Sequence, residues 1–218
     1  MAAVVQRNCV DHAALFADQK KDVFFKLANN VSGWLQYAGL TQSNSLGAAL
    51  GTVAGAFDVP ATIVNLHTLG KTIQKGGQGT KIDPARQIVG DFTTFGESFC
   101  KAVKWTLGFF KDAVTAPWTA AANAFGMYNC VDHGLRQVVD LTSECKKSEA
   151  DKNANKIAHH ALDVAKFVAG FALNALSFAG IVAGIVIASP VMLILSSVAL
   201  SCTVAAFFFK QEANNPRV

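Results

Sequence analysis

The pentapeptide Asn-Cys-Val-Asp-His occurs twice, at residues 8–12 and 129–133. On a helix, positions i and i+3 share a face, so each copy aligns a thiol with an imidazole. Together Cys9, His12, Cys130 and His133 form a Cys₂His₂ donor set, the type zinc binds tetrahedrally. The same residues have a second use. Asn8 and Asn129 can each cap a helix N-terminus, with Asp11 and Asp132 in the first turn near its positive end. Structural zinc sites usually bring tighter loop signatures. Capping is therefore the preferred assignment, and no metal or cofactor is assigned.

Other chemistry-bearing stretches lack a needed part. The segment 65–72, NLHTLGKT, ends like a phosphate-binding loop. That loop needs a glycine where Asn65 stands, so that backbone amides can curl round phosphate. The glycines of KGGQGTK, 75–81, have the wrong spacing. His159, His160 and Asp163 could ligate a metal, but no His-Glu-x-x-His pattern accompanies them. They are expected on a solvated face beside a membrane. No nucleophile elbow appears with a base and an orienting acid. The chain is read as non-enzymatic, with no catalytic residue.

The bulk properties point elsewhere. Hydrophobic residues make up 51% of the 218 and charged residues 16%. Soluble domains carry about 25% charged residues, so the balance favours a membrane. A net charge of +4 is too small and dispersed for nucleic acid. Five scattered cysteines, Cys9, Cys100, Cys130, Cys145 and Cys202, have no Cys-x-x-Cys pair. An odd, widely spaced set argues against a disulfide framework. Polar residues Gln6, Arg7, Asn8 and Asp11 interrupt the beginning of the chain, so no Sec signal is expected there.

Helical periodicity organises most of the sequence. Phe24, Leu27, Val31 and Leu35 recur at spacings of three and four. Gly47, Gly51 and Gly55 share one face of the next helix and would let another backbone approach. Asp58 and Pro60 interrupt that apolar run, which leaves open whether 46–66 enters a bilayer. Residues 76–84 form a glycine-rich linker. Beyond it, Phe92, Phe95, Phe99, Val103, Leu107, Phe110 and Val114 make a stripe that ends before Pro117. Such a stripe ordinarily faces a protein core; it could instead lie on a membrane surface with Trp105 and Trp118 at headgroup level. Further helices are expected over 120–141 and from about Ile157.

Between Lys166 and Lys210 there is no Asp, Glu, Lys, Arg or His. Pro190 divides this run into 167–188 and 191–209, about 33 and 28 Å long as helices. Each piece matches a hydrocarbon core of about 30 Å. Ser189 and Pro190 supply the expected turn, because proline removes a helix donor and restricts the residue before it. Lys146, Lys147, Lys152, Lys156 and Lys166 precede the run, and Lys210 and Arg217 follow it. The positive-inside rule then places both ends in the cytosol and the turn on the far side. Gly180 and Gly184 offer a packing face between the arms, or between copies in a homo-oligomer. A buried hairpin, as in pore-forming domains of the colicin type, is the alternative.

The two-lobed run FVAGFALNALSFAGIVAGIVIASPVMLILSSVALSCTVAAFFF resembles the hallmark of chlamydial inclusion membrane (Inc) proteins. That resemblance implies type III secretion of a virulence effector, insertion into the host-cell inclusion membrane, and both termini in host cytosol. Many Inc proteins carry a polar effector region after the hairpin, whereas eight residues follow Lys210 here. The expectation is an all-α integral membrane protein. It comprises an N-terminal helical region (1–75), a linker (76–84), an amphipathic helical region (85–165), a transmembrane hairpin (166–210) and a polar tail (211–218). Its expected role is to organise a vacuole or inclusion membrane or to recruit host proteins. A colicin-like pore former and a metal-binding interaction module using the repeated pentapeptide are the alternatives.

Overall fold

The computed structural model describes residue 16 and residues 20–39, 45–76 and 83–214. The first pentapeptide, with Cys9 and His12, lies outside them, as do most of the linker and the last four residues. All regular structure among the described residues is helical, with no strand. They form α1 (Lys21–Tyr37), α2 (Ser45–Ala56), α3 (Asp58–Gln74), α4 (Pro84–Leu107), α5 (Ala116–Cys145), α6 (Ala154–Val182) and α7 (Ser189–Asn214).

Local chemistry sets several ends. Asp83 caps α4 by accepting from the Ala85 amide at 3.0 Å, with Pro84 at the first helical position. Asn153 caps α6 by accepting from the Lys156 amide at 3.1 Å. Pro117 sits in the first turn of α5, where its missing N–H removes no hydrogen bond.

The hairpin is present, but its turn is displaced from Ser189-Pro190. Helix α6 stops at Val182, and 183–188 is non-helical. Gly184 has φ +66°, the left-handed conformation that glycine supplies after a helix C-cap. Ser189 and Pro190 are instead the first two residues of α7, where proline's fixed φ suits a helix start. Within the chain, Gly180 and Gly184 do not face the second arm. A Cβ on Gly180 would meet the Ile185 carbonyl of the turn at 3.3 Å, and one on Gly184 would meet nothing within 4 Å.

The seven helices form one bundle. Neighbours α3–α4, α4–α5, α5–α6 and α6–α7 pack successively, α1 packs on α7 and α2, and α2 touches α4. The N-terminal region is therefore joined directly to the hairpin. Asn30 of α1 donates to Ser196 Oγ at 2.5 Å and accepts from Ser197 Oγ at 2.8 Å. Trp34 Nε1 donates to the same Ser197 Oγ at 2.9 Å. A Cβ on Gly33 would lie 2.7 Å from Leu193 Cδ2, so the helices approach closely there.

Buried polar side chains are at least as frequent as large apolar ones among the described residues: Ser32, Thr93, Ser98, Asn129, Asp132, Glu144 and Asp163 are buried beside Phe16, Val23, Leu69 and Phe207. In α4, Gly90, Thr93, Gly96, Ser98 and Cys100 face inward. Phe92 and Phe99 of the expected core stripe are instead 52% and 42% exposed. One cluster of large buried side chains exists, Phe16, Val23 and Phe207, where α1 meets the end of α7.

Three helices are long and apolar enough to cross a membrane: Ala49–Gln74, running through α2 and α3, then α6 and α7. Only 6%, 6% and 11% of the residues in their apolar windows are buried within the protein.

Candidate functional site

The second pentapeptide lies in the middle of α5, so Asn129 caps no helix. Its spacing does different work. Asn129 and Asp132 point to α4, while Cys130 and His133 point to α6. Asn129 accepts from Thr93 Oγ1 at 2.8 Å and donates to Glu97 Oε2 at 2.6 Å. Asp132 accepts from Arg86 Nε at 2.7 Å and pairs with Arg136 on its own helix. Cys130 Sγ would lie 3.1 Å from a Cβ on Gly170, and Asn174 donates to it at 3.9 Å. The His133 ring stacks on Phe167 at 5.7 Å. One i, i+3 pair thus serves each flanking helix, and the pentapeptide forms a joint between α4 and α6.

The electrostatics follow from this packing. Burial raises the pKa of Asp132, but the hydrogen bond from Arg86 and the charge of Arg136 outweigh it, and the net shift is downward. Burial and the neighbouring Arg136 push the His133 pKa down, favouring neutral imidazole. Burial pushes the Cys100 and Cys130 thiols up, away from the reactive thiolate. Among the described residues, no three His, Cys, Asp or Glu side chains converge as a metal site.

The polar seam continues along α5 and α6. Asn123 donates to Ser177 Oγ at 2.7 Å, and Gln137 Oε1 lies 2.7 Å from His160 Nδ1. Glu144 accepts from the Asn153 amide at 3.2 Å and from Lys147 at 2.5 Å, whose hydrogen bond lowers its pKa. These pairs run antiparallel, so α5 lies beside α6 along most of its length. In a low-dielectric surrounding, such groups must be partnered inside the bundle.

The expected small-residue face of α2 is used within the chain. A Cβ on Gly55 would clash with Trp105 Cδ1 at 2.4 Å, while Gly51 faces Asn29 at 3.8 Å. Gly47 lies on the same helix. Trp105 Nε1 also donates to the Thr52 carbonyl at 2.9 Å. Beside this contact is an open cavity of about 520 Å³ bordered by Lys26, Asp58, Lys101 and Lys104. Asp58, which interrupts the apolar run in sequence, therefore faces lysines rather than the outer surface.

A second polar region lies at the foot of the hairpin. Asp163 pairs with Lys166 at 2.6 Å and approaches His159 Nε2 at 3.7 Å. Lys166 also sits over the Phe167 ring, 4.2 Å from its centroid. His159 and His160 are thus engaged by a carboxylate on the next turn of α6 and by the Gln137 amide of α5. Lysines from separate parts of the chain collect here, a convergence that sequence spacing could not reveal.

Comparison with known protein families, curated proteins and solved structures returns no match to this chain.

Proposed function

We propose that the chain is a non-enzymatic integral membrane protein whose C-terminal hairpin crosses the bilayer, with both of its ends on the cytosolic side. The carrying observation is the hairpin's apolar surface: only 6% and 11% of the residues in its apolar windows are buried within the protein. An uncovered apolar surface of this length requires lipid or another protein.

Dimensions support the same assignment. From Lys166 to Val182, the end of α6, a helix rises about 24 Å, and from Ser189 to Lys210 about 32 Å. The non-helical turn then falls at the opposite interface, where water can satisfy its backbone. Val186 at its tip is 95% exposed. The colicin-like alternative would need protein covering the hairpin, and α1 and α5 each cover only one side of an arm.

The proposed role is to organise a vacuole or inclusion membrane, or to recruit host proteins there. It rests on the resemblance of the two-lobed run to Inc proteins and on the basic flanks. Membranes carrying the protein, washed with alkaline carbonate, should retain it in the pellet. Full release into the supernatant would overturn the bilayer assignment. Co-localisation with the inclusion membrane in infected cells tests the location separately.

A further inference from the structure

We propose that the foot of the hairpin binds the phosphate of an anionic phospholipid headgroup; this rests on the bilayer assignment above. A cavity of about 220 Å³ opens there, and three elements distant in sequence bring lysines to it. Lys20 precedes α1, Lys166 is on α6 and Lys210 is on α7. Among the described residues the cavity holds one carboxylate, Asp163, which is already paired with Lys166. Lys20 and Lys210 have no carboxylate partner among the described residues. Two ammonium groups facing one small cavity repel each other, and an anion between them would reverse that repulsion.

Lys210 also borders a second cavity of about 450 Å³ that contains Lys156. That cavity carries Asp140 and Glu144 as well, with Glu144 held by Lys147. The smaller cavity is therefore the more positive and the better anion site.

Position selects a lipid over a soluble anion. Lys166 and Lys210 lie about 24 and 32 Å along their helices from the turn, in the headgroup layer of one leaflet. Ala206 and Phe207 add an apolar floor to the cavity, beside the lysines. A phosphodiester bearing acyl chains complements both surfaces, and basic pockets between membrane helices bind such headgroups.

The test is native mass spectrometry of the full chain in neutral detergent, titrated with phosphatidylglycerol or with phosphatidylcholine. Wild type should retain phosphatidylglycerol selectively. The double variant Lys20→Gln/Lys210→Gln should bind it about thirtyfold more weakly, or about fivefold per lysine. Lys20→Arg/Lys210→Arg should bind like wild type, and Lys111→Gln serves as a control outside the cavity. Equal binding of the two lipids, or unchanged binding in the double glutamine variant, would overturn the proposal. So would complete displacement by excess inorganic phosphate, which would identify a soluble-phosphate site. A chain that resists carbonate extraction yet binds the lipids indiscriminately loses this site alone and keeps the bilayer assignment.

Discussion

Asp132 is 5% exposed and lies between two guanidinium groups, Arg86 at 43% and Arg136 at 22% side-chain exposure. Because the arginines lower its native pKa, folding favours the ionised form. The resulting stability is fully present above the unfolded carboxyl value of about 3.9 and is lost as pH falls through the lower native value. Asp132→Asn should therefore destabilise the protein at neutral pH by about 2 kcal/mol. That is below the usual 3–5 for breaking a buried pair, because both arginines reach water. The gap between variant and wild type should close as pH falls below about 4. Thermal unfolding in detergent across pH measures both effects, and equal melting at neutral pH would refute the role given to this carboxylate. The pentapeptide's residue types were legible in sequence, but their use was not. Capping and mid-helix bridging require similar side chains, and only the length of α5 decides between them.

At the scale of elements, α1 is bound to α7 by a small polar clamp and a close backbone approach. Asn30 hydrogen-bonds two serines of α7 whose hydroxyls also donate back to the Leu193 carbonyl of their own helix. Asn30→Ala should cost about 1 kcal/mol, typical of an interhelical hydrogen bond in a membrane protein. Gly33→Val should cost more, about 1–3 kcal/mol, because its side chain would enter the space of Leu193. Both variants should lower the thermal midpoint and shift Trp34 fluorescence as α1 loosens. An unchanged midpoint for Gly33→Val would show that the helices separate without cost. The helical periods of α1, α4 and α6 are visible in the sequence. The direction of the α4 stripe is not, because amphipathicity defines two faces without saying which one meets protein. In α4 the small and hydroxyl-bearing face packs inward, since Gly90 and Gly96 let α5 side chains approach, Thr93 bonds Asn129 of α5 and Ser98 bonds Asn65 of α3.

For the whole molecule, the proposed topology makes a cysteine-accessibility prediction. Cys145 is exposed near the basic end of the bundle, whereas Cys202 lies within the charge-free arm of α7. In sealed membranes oriented with the cytosolic face outward, an impermeant maleimide should label Cys145. Cys202 should stay unlabelled until the protein is unfolded in detergent. Rapid labelling of Cys202 in intact membranes would mean that this arm does not cross lipid. Buried Cys100 and half-buried Cys130 should react slowly, since burial raises both thiol pKa values.

The sequence by itself determined the all-helical class and the two-armed hairpin. A long absence of charge, bounded by lysines and broken once, has few other physical solutions. It also carried the signal for the turn, although Gly184 rather than Pro190 marks the end of the first arm. The conformation of a single glycine depends on where the helix stops, and the apolar pattern continues unchanged through that point. Tertiary structure decided which faces turn inward, how the pentapeptide joins α4 to α6, and that Lys20, Lys166 and Lys210 share one cavity. Those outcomes depend on contacts between residues far apart in the chain, and neither helical period nor local charge specifies such contacts.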